Sequence, residues 1–268
     1  MKEKNPKSNL IFGSFPRVLF AIWMIIAVAM NLILSTDLAT KIKVLAIFIS
    51  GASTILFWIA KKPIQKFLLK TKLSLKQKFV LLGSLGAIWV EFEFWFLGII
   101  IFKVPIAAHE NFLIDLLVTM PWYILMMFLL WGVQKKNSYS YYAIFVLGGI
   151  YDFCNDGLFG TILQVGTVPI GTLILLVIVI PLFAINYSFM VLPASYILKS
   201  DESYSPRKGK LPKIFVWILP ILGLIVLGSS IYFSIMFLDP SMILFISGAW
   251  LIILLIMFFK SKNKNTNL

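Results

Sequence analysis

The sequence predicts an all-α integral membrane protein, a single polytopic helical bundle of about eight transmembrane helices with both termini cytoplasmic. Three observations lead there. The 268 residues are 60% hydrophobic with a mean hydropathy of +0.95, more apolar than the surface of a soluble domain tolerates. Apolar runs close to the roughly 20 residues that a helix needs to cross a bilayer recur along the whole chain. Lysine and arginine, finally, collect in alternate connecting segments.

Taken in order, the expected spans cover roughly 17–36, 42–60, 79–102, 112–133, 141–163, 168–198, 214–236 and 241–259. Residues 1–16 and 260–268 form cytoplasmic tails, and 17–259 form one transmembrane domain. The first apolar run is long enough to span and lacks a small-residue cleavage site, so it reads as a span and not as a removed signal. Between the second and third spans lies the basic stretch KKPIQKFLLKTKLSLKQK, which reads either as a solvated loop or as an amphipathic helix on the membrane surface. Asn111 is placed to cap the fourth span, with His109 in the preceding loop. Pro181 and Pro193 interrupt the long sixth run, which is expected to tilt or kink.

With the N-terminus inside, every Lys and Arg except Lys41, Lys43 and Lys103 falls on the cytoplasmic side. The formal charge of +13 is thereby explained as a topology signal with an attraction to anionic lipid headgroups, and nucleic acid is not an expected partner. The plasma membrane is the expected location. A single cysteine, Cys154, excludes an internal disulfide, and a single histidine excludes a histidine-based metal cluster, so neither metal nor cofactor is expected.

Function is sought in the acids that this topology leaves inside the hydrocarbon. Glu91 and Glu93 fall about 18–21 Å in from the inner end of the third span. On the same rise, Asp152 and Asp156 lie about 17 and 23 Å into the fifth, and Asp115 about 5 Å from the outer end of the fourth. All five therefore sit between the midplane and the outer interface. An intramembrane carboxyl costs a few kcal/mol, so it faces a bundle interior or a wet cavity. No Lys or Arg lies within a span interior to pair with these acids, which favours their neutral form.

In GGIYDFCNDGLFG, Asp152, Asn155 and Asp156 share one helical face. The glycines also fit a shorter span that gives way to an outer loop or a re-entrant turn, or close helix packing. Glu91 and Glu93 are two residues apart and project about 200° apart, so at most one faces a shared cavity. Glu91 shares a face with Phe94 and Trp95, and Glu93 with Trp89 and Leu97. Glu91, the deeper, is the preferred candidate. Asp115 and Glu110 read first as wet or capping groups. The aromatic run WVEFEFWF around the two glutamates serves either as packing or as a wall that stabilises a cation.

Motifs for intramembrane aspartyl, glutamyl and rhomboid-type proteolysis, paired diphosphate-binding aspartates, phosphate loops and zinc sites are all missing or incomplete. The expected function is an enzyme that performs acid-initiated chemistry (cyclisation, isomerisation or hydration) on an apolar lipid or isoprenoid. Asp152, Asp156 and Glu91 are its catalytic candidates, and Asn155, Glu93, Trp95, Trp89 and Asp115 its binding candidates. Membrane lipids and an apolar small-molecule substrate are the expected partners. Two alternatives stand beside it: a proton- or cation-coupled transporter, and a membrane assembly or accessory subunit.

Overall fold

A computed structural model of the protein describes residues 14–153, 170–201, 204 and 240–260. Every element among them is helical. In chain order these are α1 (Ser14–Leu34), α2 (Leu38–Lys70), α3 (Leu75–Trp95), α4 (Phe112–Lys136), α5 (Tyr141–Asp152), α6 (Ile170–Lys199) and α7 (Pro240–Lys260). A π-helical segment, Phe96–Phe102, prolongs α3. The segments Leu38–Leu68, Leu75–Phe102, Phe112–Lys136 and Val177–Lys199 are long and apolar enough to cross a membrane, and Val18–Ile33 and Leu244–Phe259 are shorter apolar helices. The expected span at 214–236 and both chain ends lie outside the described residues.

Local chemistry sets the helix boundaries. Asp37 caps α2 through bonds from the Ala39 and Thr40 amides and the Thr40 hydroxyl. The Thr40 hydroxyl first, then the two amides, hold its carboxyl below the ordinary value of 3.8. This cap is therefore complete above that pH and is lost as the pH falls through the depressed value. Ser74 and Gln77 form a reciprocal capping box that starts α3. The Gln77 amide also donates to the carbonyl of Phe258 at 3.0 Å, which ties the start of α3 to the end of α7. Lys103 ends the π-helical segment in the left-handed conformation, with φ of 57°. In the basic stretch between the second and third spans, α2 runs through Pro63 to Lys70 without a break. Only a short turn separates it from α3.

α6 is the hub. It packs against α1, α2, α3 and α5, while α3 also packs on α4 and α4 on α7. Its spanning window is 61% buried against 33% for α2 and α3, which makes it the innermost of these helices. Outward-facing side chains are aliphatic and aromatic: Ile33, Ile59, Leu113 and Phe245 are each at least three-quarters exposed. Such an apolar exterior suits lipid as its solvent.

Close approach to α6 relies on small residues. A Cβ at Gly149 of α5 would meet the backbone of Ala184 within 2.7 Å. One at Gly86 of α3 would lie 2.8 Å from the Met190 Cα and from the Phe189 carbonyl oxygen. That carbonyl is the one from which Pro193, lacking an N–H, takes the usual helical donor. The backbone of α3 thus fits against the place where the ladder of α6 is interrupted.

Gly86→Val and Gly149→Val each force two backbones apart and should destabilise the protein by about 1–3 kcal/mol or more. Gly248→Val, where a Cβ meets nothing within 4 Å, should stay near wild type. Thermal unfolding of the three purified variants in one detergent checks the contrast.

Candidate functional site

The two glutamates of α3 part as their spacing predicts. Glu93 turns toward α2 and Glu91 toward α4. Glu93, 4% exposed, accepts from the Ser50 hydroxyl at 2.5 Å and from the Ser53 hydroxyl at 3.3 Å. The Trp89 indole donates to Ser53 at 2.9 Å, so Trp89 joins Glu93 as their shared face implies. One turn along α2, Thr54 shares a 2.7 Å hydrogen bond with Ser188 of α6. A run of hydroxyls thus links α2 to α3 and α6 around one carboxyl.

Glu91, 8% exposed, accepts a hydrogen bond from the Tyr123 hydroxyl of α4. Beside it lies the carboxyl of Asp115, which has no exposed surface. The expectation that Asp115 is wet is corrected, because the chain between α3 and α4 folds over it. Asp115 Oδ1 accepts from the His109 amide at 3.0 Å. Asp115 Oδ2 is buried without a hydrogen-bond donor of standard geometry, although Glu91 is close enough to interact. Two buried carboxyls side by side are satisfied when one of them carries a proton and donates it to the other.

The covering segment is pinned at several points. The Trp95 indole donates to the Glu110 carbonyl at 2.7 Å, and the Asn111 amide donates to His109 Nδ1 at 2.8 Å. Asn111 accepts from the Leu113 and Ile114 amides, the expected cap of α4. Trp95 also packs against Phe92 and Phe112. Phe92 in turn stacks on Phe96, which is 38% exposed, and Trp89 is 41% exposed. Much of the aromatic run therefore packs on itself toward the outside of the bundle.

Asp152 is fully buried at the end of α5, where its Oδ2 accepts from the Asn186 amide of α6 at 3.3 Å. Next to Asn186, the ring of Tyr187 meets that of Tyr123 edge-on at 5.7 Å. Tyr123, the partner of Glu91, is thus linked through Tyr187 to Asn186, the partner of Asp152. Asn155 and Asp156 lie outside the described residues. Among the described residues no group of three His, Cys, Asp or Glu side chains could hold a metal ion.

Sequence reasoning missed Tyr123 and the hydroxyls of Ser50, Ser53 and Thr54. Tyr123 lies eight positions after Asp115, about two turns on and on the same face of α4, which is the signal that could have found it. The three hydroxyls recur at i, i+3 and i+4 along α2, one helical stripe. The chain matches no protein-family model, no curated protein and no solved structure.

Tyr123→Phe removes the hydrogen bond that the Tyr123 hydroxyl donates to Glu91 and should lower stability by about 1–3 kcal/mol. Asn111→Ala should lose about 1 kcal/mol as a cap. Denaturant or thermal unfolding in detergent measures both, and the two losses should add if the cap and the acid act independently.

Proposed function

We propose that the protein is a multi-pass membrane enzyme that carries out acid-initiated chemistry on an apolar lipid or isoprenoid within the outer half of the bilayer. The observation that carries this reading is the buried Glu91–Asp115 pair, in which an acceptor without a standard donor faces a second carboxyl. Such a pair holds a general acid and a general base at one point. Glu91 in its neutral form protonates a substrate alkene to give a carbocation. Asp115 as the carboxylate removes a proton from an adjacent carbon and restores the double bond elsewhere. The net change is an isomerisation or, when a second alkene attacks the cation first, a cyclisation. The proton passed to Asp115 returns to Glu91, so no co-reactant is consumed. Tyr123 is a positioning residue that fixes the Glu91 carboxyl. Asp152, held by Asn186, is a second buried acid whose partner adjoins Tyr187 in α6.

The topology that goes with this reading has eight spans, both termini in the cytoplasm and the plasma membrane as its location. Its support is the distribution of lysine and arginine. A reporter fused after Leu268 should be active only on the cytoplasmic side. Activity on the outer side would reverse the orientation and move the acid pair to the inner half of the bilayer.

A second reading, a proton- or cation-coupled carrier, is favoured by Glu93. Its carboxyl lies among hydroxyls of α2, and the next turn of α2 is joined to α6, an arrangement able to sense movement between helices.

Lipid extracts of cells with and without the protein should differ in an apolar lipid. Glu91→Gln and Asp115→Asn should each reduce that product at least 100-fold while the protein still accumulates in membranes. Identical lipid profiles, together with pH-dye signals in proteoliposomes that Glu93→Gln abolishes, would replace the enzyme by the carrier. Identical profiles and no proton movement would remove both.

A further inference from the structure

Beyond the hydroxyls of α2, the lysine-rich end of the bundle gathers a second constellation. Lys61 of α2 lies over two rings, Trp58 at 4.8 Å and Tyr196 of α6 at 5.5 Å. Lys199, the last residue of α6, lies 4.0 Å from the centroid of the Tyr141 ring and donates to the carbonyl of Tyr139. The rings belong to one cluster. Trp58 meets Tyr141 edge-on at 5.2 Å and Tyr196 at 5.5 Å. Tyr196 is held in turn by a 3.0 Å hydrogen bond from its hydroxyl to Gln65. Two ammoniums from different helices therefore border a single aromatic platform at the start of α5. All five side chains are half-buried, so the platform keeps an open side on each of them.

Depth identifies what that open side meets. Lys61 lies about 35 Å along α2 from Leu38, and Lys199 about 33 Å along α6 from Val177. Both distances exceed the roughly 30 Å of hydrocarbon. Trp and Tyr favour this level, where ring and headgroup meet. An ammonium has three N–H donors. One donor of Lys199 goes to a backbone carbonyl, and ring faces attract charge without using up donors. Donors remain on both lysines for an anionic oxygen group.

We propose that Lys61 and Lys199, backed by Trp58, Tyr141 and Tyr196, form a binding site for the phosphate of an anionic phospholipid headgroup. The acyl chains of that lipid run back along the apolar exterior of α2, where Ile55 and Ile59 are exposed. The phosphate takes the remaining N–H donors, and the aromatic platform fixes the spacing of the two lysines. This site is independent of the acid pair and of the reaction proposed there.

The test uses the full-length protein in detergent, titrated with phosphatidylglycerol, phosphatidylcholine or inorganic phosphate, with bound lipid counted by native mass spectrometry. Phosphatidylglycerol should be retained in preference to phosphatidylcholine. Lys61→Gln should weaken its retention about fivefold, and the double change with Lys199→Gln should weaken it further. The pair Lys41→Gln and Lys43→Gln removes the same charge at the opposite end of α2 and should leave retention unchanged. If the double variant does not fold, Lys61→Gln alone decides, because Lys61 is half-exposed. Unaltered retention in Lys61→Gln, or equal loss in the Lys41 and Lys43 control, would overturn the site. Inorganic phosphate that displaces the lipid at equal concentration would overturn the lipid as its ligand.

Discussion

A carboxyl at bilayer depth has no water to turn to, so it must find its donors on neighbouring helices. This requirement organises the middle of the protein. Glu93 takes hydroxyls from α2, Glu91 takes a phenol from α4, and Asp152 takes an amide from α6. Each bond crosses from one helix to another. The acids therefore act as cross-links whatever chemistry they perform, and the helices cannot slide past one another without exposing a costly group.

α6 makes these cross-links possible. It brings Asn186, Tyr187 and Ser188 consecutively into the bundle, and all three are buried. Three adjacent residues project in three directions around a helix, about 100° apart. Accordingly, Asn186 meets α5, Tyr187 meets Tyr123 of α4 and Ser188 meets α2. A helix packed on several sides can use every direction, whereas a peripheral helix would spend such residues on lipid. Gly86 and Gly149 are the counterpart of this arrangement, since their missing side chains let α3 and α5 come close enough for the polar contacts to close.

Much of this was legible in the chain. Hydrophobic run lengths gave the helical membrane architecture, and the spacing of Glu91 and Glu93 gave their divergence. The close packing expected of glycines is seen where Gly148 meets Val191 and Gly149 meets Ala184. The cap at Asn111 followed from residue type and position. What could not be read was which helices are neighbours. Hydropathy fixes how far along its own span a residue lies and says nothing of the angle at which that span meets the next. Tyr123 therefore went unnoticed, because its role depends on α3 and α4 being adjacent. Of the two readings of Asp115, wet or capping, the wet one failed for a related reason, while its carboxyl does accept from the His109 amide. Depth alone put it near water, but the segment that covers it is a tertiary feature held by Trp95 and His109. The basic stretch after the second span was read as separate because its lysines mask the helical continuity that carries α2 to Lys70.

The segment over Asp115 has a wider consequence. A backbone amide of this stretch is bonded directly to a carboxyl inside the bundle, and the stretch itself joins the end of the π-helical segment to the start of α4. An ionised carboxyl accepts that amide bond more strongly than a neutral one, so the bond responds to the charge on Asp115. The connecting stretch is therefore tied to the state of an interior carboxyl, as the needle of a gauge is tied to the pressure behind a sealed wall. A label on this short stretch would report on a carboxyl that has no exposed surface of its own.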